Sequence, residues 1–224
     1  MDNKMRTDLT FITNEPNQTL LDRFNVLIKD TRLFDILVGY FYTSGFYSLY
    51  KSLESTEKIR ILIGVSTNKE VLDLINEAQS QLALQFSHAE VKKEFCESIA
   101  QEMEKSHDSA LVEEGILKFI EWLRTGKLEI RAYPSQNIHA KLYIMTFREG
   151  DRDVGRVITG SSNFTQAGLI DNLEFNVELK NVTDYEFALE KFNELWQDAV
   201  DVKDKYIETI NTRTWLNQNI SPYE

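Results

Sequence analysis

The stretch HAKLYIMTFREGDRDVGRVITGSSNFTQAGLIDNLEFNVE, from His139 to Glu178, holds nearly every residue of the chain suited to covalent or phosphate chemistry. Side chains two apart on a strand project from one face, and the residue between them points away. Read as the head of a strand, His139 and Lys141 therefore share a face, and Ala140, Leu142 and Ile144 take the other. A second apolar run, Val157-Ile158-Thr159, leads into Gly160-Ser161-Ser162-Asn163, where Ser161 and Asn163 are again two apart. A third run, Glu174 to Leu179, begins with a carboxylate. Three such strands paired side by side bring His139, Lys141, Ser161, Asn163 and Glu174 to one end of a sheet.

Working outward, the polar N-terminal segment holds one short strand candidate at Leu9–Thr13. Leu20 to Lys29 has its apolar residues at helical spacing. Leu33–Tyr42 is a near-continuous apolar run, as expected for a strand covered on both faces. A helix over Phe46–Leu53 and a strand over Lys58–Val65 follow, an order that predicts a parallel right-handed crossover. Residues 68–124 carry a charged helical pattern, and Lys127–Tyr133 alternates as a strand does. Beyond the central stretch, Thr183-Asp184 caps a helix from Tyr185 to Val200, with Phe187, Leu189, Phe192, Leu195 and Trp196 as its buried stripe. The fold class expected is α/β, with a mixed, largely parallel central sheet flanked by helices. Residues 1–202 form one domain, and 203–224 read as an extension or a linker to a further module.

A formal net charge of −11 and a sequence pI near 4.9 leave no global basic face, so any contact with a polyanion must be local. Cys96 is the single cysteine, which excludes an internal disulfide and points to a reducing, cytoplasmic compartment. No window approaches the length of a membrane span, and the N-terminus lacks the apolar core of an export signal. Aromatic residues crowd the segment Tyr40-Phe41-Tyr42, Phe46, Tyr47 and Tyr50, which reads first as core packing and second as a base-stacking surface.

Taken singly, the central residues are ordinary: a histidine entering a strand is usually structural, and Gly-Ser-Ser-Asn is a common turn. Their order is specific. His-x-Lys, a strand, Gly-Ser-x-Asn and a following Glu resemble the signature of the phospholipase D superfamily, in the form of its small single-motif nucleases. The resemblance covers 139–179 and departs from the family pattern twice. Thr146 stands where an Asp is usual, and Arg148 to Gly155 lengthens the hairpin as an exposed turn. The GYFYTSGF segment and the terminal SPYE also look like the limits of the phospholipase D-like domain found ahead of a helicase motor in bacterial restriction proteins.

What the resemblance implies is metal-independent phosphodiester cleavage, with no cofactor. His88 and His107 begin no second His-x-Lys copy, so one chain supplies half a site. A homodimer is expected, with both His139 residues meeting at one phosphate. One His139 is the nucleophile and forms a phosphohistidine, and the other protonates the leaving alcohol. Lys141, Asn163 and Ser161 donate to the phosphoryl oxygens, and Glu174 accepts the second ring N–H of His139. DNA is the expected substrate, and a helicase or ATPase module is a possible partner in a longer protein. The rival expectation is a catalytically silent DNA-binding or dimerisation module, favoured by Thr146 and the acidic charge.

Overall fold

The computed structural model describes residues 10–16, 18–39, 41–64, 110–133, 138–151, 153–203 and 207, and the side chains of 110–113 are not among what it describes. The helices expected between 68 and 109, with Cys96, His88 and His107, and most of 203–224 lie outside the described residues.

Strands β1 (Phe11–Ile12), β2 (Thr31–Val38), β3 (Lys58–Gly64), β4 (Leu128–Tyr133), β5 (Leu142–Phe147), β6 (Gly155–Gly160), β7 (Asn176–Leu179) and β8 (Val200–Asp201) form one sheet. Their spatial order is β1-β7-β6-β5-β2-β3-β4-β8. As expected, β2 and β3 pair in parallel with a helix between them, and β4 extends the parallel part. The mixed α/β class stands, but the parallel portion is confined to β2, β3 and β4. The pairings β2–β5, β5–β6, β6–β7, β1–β7 and β4–β8 are antiparallel. The reason lies in the connections: β5 to β6 is a hairpin, which can only be antiparallel, whereas a parallel return needs a long crossover.

Alternation along each strand sorts the core onto two faces. Phe34, Ile36 and Val38 of β2, Ile59, Ile61 and Ile63 of β3, and Tyr143 and Met145 of β5 enter one cluster. Helices α1 (Leu20–Leu27), α2 (Thr43–Leu53) and α3 (Ala110–Thr125) cover it through Phe24, Phe46 and Phe119 among others. The opposite face, with Leu37, Leu62, Ile144 and Val157, is covered by α4 (Val182–Asp198). The stripe on α4 is Tyr185, Ala188, Phe192 and Trp196. Phe187, expected inside, is 62% exposed, because it lies two positions (about 200°) around the helix from Tyr185. No helix among the described residues is long and apolar enough to cross a membrane.

The one acidic residue in the near-continuous apolar run of β2 is a buried carboxylate. Asp35 is paired two-fold with Arg60 of β3, at 2.6 and 2.7 Å. Arg60 also donates to Asn193 Oδ1 at 2.9 Å and lies against the rings of Phe192 and Trp196, which ties α4 to the sheet. A second buried acid, Glu178 of β7, is held by Arg23 of α1 at 2.6 and 2.8 Å.

Candidate active site

The register carries the five candidate residues to one end of the sheet. Leu142, the first residue of β5, pairs with Leu37 near the end of β2 and with Thr159 near the end of β6. Gly160, the last residue of β6, pairs with Asn176, the first of β7. The ends of β2, β3 and β6 therefore adjoin the starts of β5 and β7, and the segments that enter or leave them there carry His139, Lys141, Ser161, Asn163 and Glu174.

The chain enters this end by a close approach. A Cβ on Gly64 would lie 2.5 Å from Ile138 Cβ, and one on Gly39 would lie 2.9 Å from Ile138 O. Glycine at both strand ends lets Ile138 sit across β2 and β3, which fixes where His139 begins. His139 and Lys141 were expected at the head of a strand. The structure places 138–141 in an irregular lead-in, with β5 starting at Leu142, because the pairing to β6 runs out at Thr159. The expected sharing of a face by Leu142 and Ile144 holds within the strand. His139 is exposed, Lys141 Nζ donates to His139 O at 2.9 Å, and Thr159 Oγ1 donates to Lys141 O at 2.9 Å.

At the β6 end, consecutive serines divide the work. Ser161 is exposed, its hydroxyl donates to the Glu174 carboxylate, and it accepts from Phe175 N at 3.0 Å. Ser162 is buried, and Asn176 grips it twice. Asn176 Nδ2 donates to Ser162 Oγ at 2.9 Å, and Ser162 N donates to Asn176 Oδ1 at 3.3 Å. Tyr143 Oη donates to Ser162 O at 2.8 Å. Burial, and secondarily the charge of Glu174, hold the Tyr143 phenol well above its usual pKa, so it remains a neutral donor.

Asn163 and Glu174 line a cleft of about 330 Å³ together with Tyr42, Thr165, Gly168 and Asn172. Asn163 Oδ1 is buried and has no hydrogen-bond partner among the described residues. Glu174 lies two residues ahead of β7 rather than at its start. Its described hydrogen bonds come from Ser161 and, at 3.5 Å, from Asn172, not from His139. The topology accounts for this: β6 stands between β5 and β7, so within one chain the lead-ins of the outer two are about 9–10 Å apart.

Thr146, at the family's usual Asp position, shares a hydrogen bond of 2.7 Å with Tyr185 Oη of α4. The extended hairpin turns at Gly150, whose φ of 92° suits glycine. Sequence reasoning missed Asn176, Ser162, Tyr143, Gly39 and Gly64. The signal for Asn176 was its place two residues beyond Glu174, between the apolar Phe175 and Val177.

The sequence profile of the family described as cardiolipin synthase, PLD-like domain, matches residues 32–196. This is well over half of the 224 residues, and the chain belongs to that phospholipase D-like family. Among solved structures it is similar to NucT from Helicobacter pylori, with 12% identity, a TM-score of 0.44, and coverage of 81% of this chain and 90% of that one. It is similar also to the phospholipase D family member Nuc from Salmonella typhimurium, with 16% identity, a TM-score of 0.45, and coverage of 80% and 88%. Phosphatidylserine synthase from Haemophilus influenzae is similar over 93% of this chain and 41% of its own, with 17% identity and a TM-score of 0.48. No curated protein matches the chain in sequence.

Proposed function

We propose that the chain is a metal-independent phosphodiesterase acting on DNA, through a site completed by a second copy. The observation that carries this reading is the convergence of His139, Lys141, Ser161, Asn163 and Glu174 at one sheet end, in a chain of the phospholipase D-like family. One ring nitrogen of His139 attacks phosphorus, the bond from phosphorus to the leaving oxygen breaks, and His139 of the partner subunit gives that oxygen its proton. A water then attacks phosphorus, the P–N bond breaks, and the water's proton passes to the partner's His139, restoring both rings. Lys141 neutralises the phosphoryl oxygens, Asn163 and Ser161 donate to them, and Glu174 orients a His139 ring. The domain so defined is 1–202, with 203–224 an extension toward a further module such as a helicase motor.

Cleavage of DNA in EDTA by the native chain, abolished in His139→Ala, is the expected result. Equal cleavage by both proteins would refute the role of His139. A strict monomer by sedimentation at micromolar concentration would refute the shared site. A second reading, a silent phospholipase D-like module that binds DNA for a motor, is favoured by Thr146 in place of Asp and by the net charge of −11. Absence of cleavage by the native chain, with DNA still bound, would establish it.

A further inference from the structure

Of the aromatic run Tyr40-Phe41-Tyr42, the structure separates the last two residues. Phe41 is buried between Phe119 and Phe164, at centroid distances of 5.9 Å from each. Tyr42 is 37% exposed and forms a wall of the cleft that holds Asn163 and Glu174. Its backbone is tied on both sides: Tyr42 N donates to Phe164 O at 3.3 Å, and Gly45 N donates to Tyr42 O at 3.1 Å. An aromatic ring on a fixed backbone is a stacking platform that loses little entropy when occupied.

The rest of the cleft argues for what lies on that platform. Its volume, about 330 Å³, falls at the small end of ligand-holding clefts. Gly168, in its lining, packs tightly on the Asn163 backbone, since a Cβ there would lie 2.4 Å from Asn163 O. The acceptor that Glu174 brings to it is a carboxylate, which within the chain takes the Ser161 hydroxyl and, at 3.5 Å, Asn172 Nδ2. Directly beside the Glu174 carboxylate an anion is disfavoured, so the part of a ligand that meets it is uncharged, flat and bears N–H donors. We propose that this cleft is a nucleobase subsite of single-stranded DNA, in which a base stacks on Tyr42 and its exocyclic amino group meets the Glu174 carboxylate. Cytosine and adenine carry such a group and thymine does not. The substrate class rests on the phosphodiesterase reading of the adjoining residues.

The test uses the His139→Ala chain, so that binding is read without turnover. Fluorescence anisotropy compares oligo-dC, oligo-dT and an abasic oligomer, each of about eight nucleotides, a usual single-strand site size. Oligo-dC is expected to bind about 5- to 150-fold more tightly than the abasic strand. Tyr42→Leu should erase that difference and Tyr42→Phe should keep it. Oligo-dC is also expected to outbind oligo-dT, and parity would remove Glu174 as the acceptor. Equal binding of base-bearing and abasic strands, no measurable binding of either, or a difference undiminished in Tyr42→Leu would overturn the subsite. Equal binding of the strands by the His139→Ala chain would overturn the subsite even if Tyr42→Leu fails to fold. Base-dependent binding by a chain whose native form cleaves nothing would sink the catalytic reading alone, and cleavage without base dependence would sink the subsite alone.

Discussion

Asn176 holds Ser162 from both ends of its carboxamide, Nδ2 to Ser162 Oγ at 2.9 Å and Oδ1 from Ser162 N at 3.3 Å. Both residues are fully buried, so the turn that presents Ser161 and Asn163 is fixed by the first residue of β7. Asn176→Ala leaves the Ser162 amide and hydroxyl unsatisfied and is expected to cost about 1–3 kcal/mol in denaturant unfolding. The loss of DNA cleavage should exceed what the unfolded fraction accounts for, because Asn163 loses its position. Unchanged stability would show that the pair contributes nothing.

Gly64 sets the approach of Ile138 and hence of His139. In Gly64→Ala the new methyl group meets Ile138 Cβ at 2.5 Å, so the lead-in to β5 must shift. The expected result is a loss of activity on the order of 10²-fold from misplacement of His139, with a stability cost of about 1–3 kcal/mol from overpacking. Activity within two-fold of the native chain, from assays at equal folded fraction, would refute the positioning role.

Arg60 is the only described hydrogen-bond partner of the Asp35 side chain, which is 1% exposed. Arg60→Met strands a buried carboxylate and should cost about 3–5 kcal/mol in chemical denaturation. In the native chain, desolvation raises the Asp35 pKa above its ordinary 3.8, against the opposing pull of Arg60. The folded state thus holds this proton more tightly than the unfolded state. The associated stability is fully present below pH 3.8 and is lost as pH rises through the folded-state value. Asp35→Asn cannot ionise, so its stability relative to the native chain should climb with pH across that window. A pH-independent difference in melting temperature would contradict this.

Thr146 and Tyr185 share one half-buried hydrogen bond. Thr146→Val should therefore cost about 0.5–1.5 kcal/mol and leave DNA cleavage near the native rate. A large loss of activity without a matching loss of stability would show that this position acts on the site despite lacking the usual Asp.

Most of the elements could be read from sequence because they depend on local pattern. Leu20 to Lys29 spaces its apolar residues for a helix, and β2, β3 and β4 carry their burial in their own composition. The stripe on α4 was read in part: Phe192 and Trp196 are buried and Leu189 and Leu195 partly so, but Tyr185 and Ala188 were left out and Phe187 is exposed, since an exposed aromatic residue differs from a buried one only in helical phase. The order of reactive residues between His139 and Glu174 was equally legible, because chemistry is written in residue types.

What only tertiary structure decided was which residues meet. Sequence did not show that, within one chain, the Glu174 carboxylate takes the Ser161 hydroxyl across the junction of β6 and β7. The partner of Asp35 lies 25 residues away, and that of Ser162 lies 14 away across a strand pair. Only the register of the sheet brings such residues together. Tyr42 and Phe41 are neighbours of like composition, yet one lines a cleft and the other fills the core. Their difference is set by the direction in which the backbone leaves β2, a property of packing that no local pattern encodes.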